Sequence, residues 1–206
     1  MEIKTDFLII GSGIAGLSYA LKVSPYGSVA IVTKKDKKES NTNYAQGCIA
    51  AVVDPDDSFD LHFQDTITAG AGLCKHDVVR MVVTEGPERI RDLITWGVPF
   101  SKRKKAGKTT YDLGREGGHS RRRILHVQDL TGREIEKILL KRVSQCGNVA
   151  IFENHICVDL ITAKKLGLRN ITKNVCCGAY ALDQTSGKVH TFISKVTLLA
   201  SGGAGK

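Results

Sequence analysis

Between Leu113 and His126 the chain reads LGREGGHSRRRILH, setting one carboxylate, Glu116, among four arginines and two histidines. A carboxylate within reach of a substrate ammonium holds it and takes up its proton, whereas the plainer role of Glu116 is an ion pair with a neighbouring arginine. Gly117 and Gly118 let a backbone pass close to a ligand, and Arg121, Arg122 and Arg123 suit carboxylates through paired N–H donors. Three consecutive residues cannot share one face of a helix or strand, so one or two of these arginines point at a site or a second domain and the other is solvated. His119 and His126 are seven residues apart, with no acid or cysteine at ligand spacing, so hydrogen-bonded roles suit them better than a metal. A second segment, GSGIAG at Gly11–Gly16, has the G-x-G-x-x-G form. Its first glycine permits a tight turn, its second admits a pyrophosphate against the backbone, and its third allows close helix–strand packing.

The elements around that segment fit the reading. Asp6–Ile10 is a short apolar strand, Leu17, Ala20 and Leu21 recur at helical spacing, and Ser24–Gly27 is a turn before a buried strand over Ser28–Thr33. The unit is β-α-β with parallel strands. Where an NAD site needs an acid at the end of the second strand, this chain has Thr33-Lys34-Lys35-Asp36, which favours a flavin or phosphate-rich dinucleotide. Lys34–Asp57 is irregular and long for a connection, apart from the apolar run Ile49–Val53, and so reads as a functional loop or an insertion. Helices are expected over Phe59–Ala69 and Asp77–Trp96, the latter broken at Gly86-Pro87. Ser101–Thr110 reads as a solvated basic loop. Thr131 and Glu134 have capping-box spacing ahead of a helix with Ile135, Ile138, Leu139 and Val143 on its apolar face. Strands follow at Val149–Glu153, Ile156–Thr162, Val175–Leu182, Val189–Ile193 and Lys195–Ala200, with a hairpin turn at Gln184–Gly187.

Composition bounds the partners. A formal charge of +9 attracts anions, but the basic residues fall in separate clusters and aromatics make up only 6%, which argues against nucleic acid. Six cysteines without a CxxC pair read as buried thiols in a reducing compartment, with neither a zinc site nor a disulfide framework. The first residues carry Glu2 and Asp6 around a short apolar run, which suits neither a signal peptide nor a membrane span; a soluble, cytoplasmic protein is expected.

The loop SNTNYAQGCIAAVV, Ser40–Val53, resembles the flavin-binding loop of the L-aspartate oxidase, succinate dehydrogenase and fumarate reductase flavoprotein family. The likeness extends through REGGHSRRRILH and DLTGRE to LLASGGAG near the end, four motifs in family order, with the aspartate-oxidising branch nearest. It implies an α/β, Rossmann-like FAD-binding domain of the glutathione-reductase type: a parallel sheet with helices on one side and a β-meander, Val175–Ile193, on the other. It implies oxidation of L-aspartate to iminoaspartate, with oxygen or fumarate as acceptor and quinolinate synthase as a partner in NAD synthesis. Residue by residue, it assigns the pyrophosphate turn to Gly11, Ser12, Gly13, Ile14, Ala15 and Gly16, and the adenosine side to Lys34. Asn41, Thr42, Asn43, Tyr44, Ala45, Gln46, Gly47 and Cys48 would line the cofactor, the strand at Cys157 and Val158 would pass the adenine, and Gly202 and Gly203 would close the floor. Glu116 takes the catalytic place beside substrate, and no metal is implied.

Two departures stand out. Asn41 occupies the place where succinate dehydrogenases attach flavin to a histidine, so FAD is expected to be non-covalent. Cys48 replaces a usual second glycine. The sequence ends at Ala204-Gly205-Lys206, just past the strand that leads into the family's capping domain, so residues 1–206 are expected to be the N-terminal part of an FAD-binding domain, as a fragment or a truncated product. On that reading the capping and C-terminal helical domains are absent, and the chain alone binds FAD weakly and does not turn over aspartate. The other readings are a succinate or fumarate oxidoreductase flavoprotein and a non-catalytic dinucleotide-binding module.

Overall fold

The elements run in chain order as β1 (Glu2–Ile10), α1 (Ile14–Val23), β2 (Val29–Val32), α2 (Asn41–Tyr44), β3 (Ile49–Ala50), α3 (Phe59–Ala69) and α4 (His76–Trp96). There follow β4 (Lys102–Lys105), β5 (Lys108–Tyr111), β6 (Leu113–Gly114), β7 (Ile124–Leu125), α5 (Thr131–Ser144), β8 (Val149–Phe152), β9 (His155–Thr162), β10 (Cys176–Asp183) and β11 (Lys188–Leu199). This computed structural model describes residues 1–45, 48–105, 107–127, 130–167 and 173–203. The chain divides into two compact units, one formed by Met1–Tyr44 with Glu136–Lys206 and the other by Ala45–Ile135.

The first unit is built on a six-stranded sheet in the order β8-β2-β1-β11-β10-β9. β8, β2, β1 and β11 run parallel, while β10 pairs antiparallel with both β11 and β9. All four residues of β2, Val29–Val32, are buried, as expected of an inner parallel strand covered on both faces. Leu8, Ile10, Ala30, Val32, Ala179, Ala181 and Phe192 form a buried apolar cluster across these strands. The hairpin between β10 and β11 turns where expected: Gly187 adopts φ 67° and donates its N–H to Asp183 O at 2.9 Å. One expectation changes. The separate strands at Val189–Ile193 and Lys195–Ala200 are a single twelve-residue strand, β11. Ser194 does not interrupt it, because β1 pairs along it from Thr191 to Leu199 and the Ser194 hydroxyl is satisfied by Thr197 Oγ1 at 2.8 Å.

The second unit holds α3, α4, the β4–β5 hairpin and a small sheet in the order β3-β7-β6. α4 is continuous for 21 residues, with Pro87 inside it. The expected break at Gly86-Pro87 does not occur: a glycine before proline has no Cβ to collide with the ring, and one missing N–H costs a single rung of the ladder. Val83, Ile90 and Leu93 form the buried stripe that keeps both halves of α4 docked. Residues 102–111 are likewise an antiparallel hairpin rather than a loop, turning at Gly107 with φ 78°. Thr131 lies inside α5 rather than ahead of it as a cap, and its Oγ1 accepts the Val127 N–H at 3.0 Å. All six cysteines are free and half-buried, less enclosed than expected. Among the described residues no helix is long and apolar enough to cross a membrane.

Candidate dinucleotide cleft and catalytic turn

β1 ends at Ile10, and the three glycines that follow have distinct surroundings. Gly11 has φ 117°, and a Cβ there would stand 2.2 Å from Ala200 O at the end of β11. A Cβ on Gly16 would stand 2.0 Å from Gly11 O, so the start of α1 packs onto the turn only because the side chain is missing. Gly13 differs: a Cβ there would meet nothing nearer than Thr42 Oγ1 at 3.4 Å. Its position faces a cleft of about 680 Å³ lined by Gly11–Ala15, Thr33–Lys35, Glu39–Thr42, Tyr44, His155–Cys157 and Ala200–Gly203. Ser12 and Thr33, both buried, join the ends of β1 and β2 through a 3.0 Å hydroxyl hydrogen bond. α1 has no acidic residue in its first turn and no side-chain cap from Gly13, so no charge offsets the positive end of the helix.

The loop after β2 forms a second wall. The Ile14 N–H donates to Thr42 Oγ1 at 3.0 Å, and the Asn41 side chain faces Gly202, whose φ is 79°. The Asn43 N–H donates to Ser40 O and Ser40 Oγ, and the Ser40 hydroxyl donates to Glu136 Oε1 at 2.6 Å. Glu136 is 1% exposed. Burial pushes its carboxyl above the ordinary range, against the Ser40 hydrogen bond, and its Oε2 has no partner among the described residues. The sequence reading missed this anchor. Its one signal is spacing: Leu139, Leu140 and Val143 lie three, four and seven residues on, which puts Glu136 on the buried face of α5. Tyr44 is exposed and donates its hydroxyl to the Glu39 carboxylate at 2.8 Å, a contact that raises the phenol's pKa.

Of the residues singled out for a cofactor, Gly11, Ser12, Gly13, Ile14, Ala15, Lys34, Asn41, Thr42, Tyr44, Gly202 and Gly203 line this cleft. Gly16 and Asn43 are not among its lining residues. Ala45 and Cys48 belong to the second unit, where Cys48 Sγ lies 3.6 Å from Thr131 Oγ1. Gln46 and Gly47 lie outside the described residues.

In the second unit, Glu116, Gly117 and Gly118 form the exposed tip of a turn closed by the His119 N–H on Glu116 O at 3.3 Å. The base of the turn is anchored. Arg123 is 0% exposed, gripping Asp57 through Nε and a terminal nitrogen at 2.8 Å each and Asp65 at 2.5 Å. Asp65 also accepts the Ser120 N–H and hydroxyl at 2.8 Å each, and His119 Nδ1 lies 3.1 Å from Arg123. Burial pushes the Asp65 carboxyl up, but the Ser120 N–H and Arg123 outweigh it and hold the pKa at about 2. Arg123 is therefore an internal clamp, neither solvated nor free for substrate as its place in the arginine run suggested. Arg121 and Arg122 are exposed, and Arg122 donates to Leu113 O at 3.2 Å. His126 Nε2 lies 3.6 Å from the Asp112 carboxylate.

Comparison with known proteins places this arrangement. Residues 6–206 match the family model described as FAD binding domain. The chain belongs to that family. Its curated relatives include the L-aspartate oxidase, chloroplastic, of Oryza sativa subsp. japonica, 52% identical over 97% of this chain. The L-aspartate oxidase of Pseudomonas aeruginosa is 43% identical over 98% of it. This chain spans 30% and 38% of those two relatives' lengths. Among solved structures, an E. coli quinol fumarate reductase matches with a TM-score of 0.86 and 29% identity, over 100% of this chain and 34% of that one. Thus the expected α/β FAD-binding fold is present, as a mixed six-stranded sheet with helices.

The residues of this FAD-binding family member fit the cofactor that its family name implies. A pyrophosphate carries two negative charges and needs N–H donors without intervening side chains, which Gly13 and the start of α1, with no acidic residue in its first turn, provide. Lys34 adds a cation on the same cleft.

Proposed function

We propose that this chain is the cofactor-holding part of an L-aspartate oxidase that converts L-aspartate to iminoaspartate. The observation that carries the reading is the 43–52% identity to L-aspartate oxidases over nearly the whole chain, against 29% to the fumarate reductase. When bound, FAD supplies a two-electron acceptor; oxygen or fumarate then serves as the terminal oxidant, and quinolinate synthase consumes the product. Gly11–Gly16 hold the pyrophosphate, Lys34 the adenosine side, and Asn41–Tyr44 with Gly202 and Gly203 the remainder. Asn41 makes the attachment non-covalent, since an amide lacks the nucleophilic nitrogen of an imidazole.

Glu116 is the proposed proton acceptor. Hydride leaves the α-carbon of an amino acid readily only once the amine is neutral, because the nitrogen lone pair stabilises the developing iminium. A carboxylate at the tip of an anchored turn can hold the ammonium and take its proton. The arrangement in the second unit suits this role: the tip is exposed while Ser120 and Arg123 secure its base. The substrate contacts that remain would come from the capping and C-terminal domains, in the part of the relatives' length that this chain does not span.

The test is peroxide formation and flavin release with the protein that carries these residues. L-Aspartate should support turnover where succinate does not, and acid denaturation should free the flavin into the supernatant. Glu116→Gln should lower kcat/KM for aspartate by about 100-fold or more while leaving flavin affinity unchanged. Turnover of succinate in preference to aspartate would replace this reading with a succinate or fumarate oxidoreductase.

A further inference from the structure

The end of the β9–β10–β11 meander where the β10–β11 hairpin turns brings two imidazoles and a carboxylate together. His155 begins β9, Asp183 ends β10 and His190 is the third residue of β11, so each strand contributes one side chain. One ligand atom from each lies within 4.8 Å of the others. His155 Nδ1 sits 2.7 Å from the backbone oxygen of Glu153, a contact that only a protonated Nδ1 makes favourable. That hydrogen bond leaves the lone pair on Nε2, the arrangement by which proteins orient a metal-binding histidine.

Nε2 of His155 lies 3.1 Å from Nδ1 of His190. Two nitrogens each about 2.05 Å from one ion, at angles of roughly 95–109°, stand about 3.0–3.3 Å apart, so the spacing is already that of two ligands. Asp183 is held in the same way as the histidine. Its Oδ2 accepts from the Ser186 hydroxyl at 2.6 Å and its Oδ1 from the Thr185 N–H at 2.9 Å, leaving further lone pairs on both oxygens. Phe152 and Phe192 pack edge-to-face with His155, at ring-centroid distances of 5.7 and 6.4 Å.

We propose that His155 Nε2, His190 Nδ1 and a carboxylate oxygen of Asp183 form a binding site for a late first-row divalent ion of the zinc class. Imidazole nitrogen selects zinc, nickel, copper or cobalt over magnesium and calcium, and the single carboxylate makes the set a borderline one. Without the ion, one imidazole N–H fills the gap between the two rings; on binding, His190 moves its proton from Nδ1 to Nε2, and solvent completes the coordination. The ion ties the ends of three strands together. Because His155 also lines the dinucleotide cleft, the staple stiffens one rim of that cleft.

The experiment uses the reduced, chelator-treated 206-residue chain, titrated with Co(II) by visible absorption and with Zn(II) by calorimetry. One equivalent should bind with weak d–d bands and no thiolate charge-transfer band, and Zn(II) should raise the melting temperature. His190→Gln and Asp183→Asn should each weaken binding by about 100-fold or more, and Ser186→Ala, which removes the outer hydrogen bond to Asp183, by about 10-fold. His76→Gln, an exposed histidine of α4, should leave it unchanged. Ser186→Ala keeps the test readable if a ligand substitution unfolds the meander. No binding at tenfold excess of metal, equal affinity in His190→Gln, or a thiolate band would overturn the site.

Discussion

At the end of β1 the chain is shaped by what is missing, whereas in residues 45–135 it is shaped by what is present. Gly11 and Gly16 leave no room for a Cβ, since Ala200 O and Gly11 O stand 2.2 and 2.0 Å from where each would be. The turn under Glu116 is held by a fully buried guanidinium between two carboxylates, Asp57 and Asp65. The first device is steric and local, and it keeps the backbone open to a ligand. The second is electrostatic and assembled from residues 58 and 66 positions apart, and it holds one turn while leaving its tip exposed.

Breaking the electrostatic clamp should have the largest effect. Arg123→Met strands two carboxylates, one of them only 1% exposed, and should cost about 3–5 kcal/mol of stability in urea unfolding. Replacing Asp57 and Asp65 by Leu in the same chain should recover much of that loss, because an apolar set of similar volume has no charge to desolvate. Breaking the steric device comes next. Gly11→Ala adds strain at positive φ to a backbone collision and should cost about 2–4 kcal/mol by the same measurement.

Acid should separate the regions. Asp65, held at about 2, and Asp57, also lowered despite burial, contribute stability that is full above the ordinary carboxylate range. It is lost as pH falls through 4 towards 2. Glu136 has the opposite sign: its raised pKa favours the folded state while it is protonated, and that contribution is lost as pH rises through the raised value. Glu136→Gln should therefore gain stability relative to the parent at pH 8 but not at pH 4, and Arg123→Met should flatten the acid limb.

Gly13→Ala sharpens the contrast within the glycine turn. Its Cβ meets nothing nearer than Thr42 Oγ1 at 3.4 Å, so the fold should lose less than about 1 kcal/mol. Flavin affinity should fall about 10–100-fold, because the methyl stands where the pyrophosphate approaches. The smallest effect is expected at Gly117→Ala, which has open space around it and should change stability by under about 0.5 kcal/mol.

These two regions also differ in how far they can be read before folding. The β-α-β unit, the glycine turn and the β10–β11 hairpin are written in local patterns of apolar period and turn residues, and each appears where those patterns put it. Pro87 misleads because the stripe of Val83, Ile90 and Leu93 outweighs one lost hydrogen bond. The basic run at 102–111 misleads because charge describes solvation and says little about pairing across Gly107. Ser194 suggests a strand end, yet β1 supplies partners along the full length of β11.

The amino-acid sequence by itself determined the flavin-type dinucleotide turn, since backbone clearance depends on neighbouring residues and glycine is visible as a letter. It also determined that three adjacent arginines must diverge. Only the tertiary structure decided which of them is buried, that Glu136 underpins Ser40 from 96 residues away, and that His155, Asp183 and His190 converge. Such pairings join residues distant in sequence through chain closure, and no local period records them.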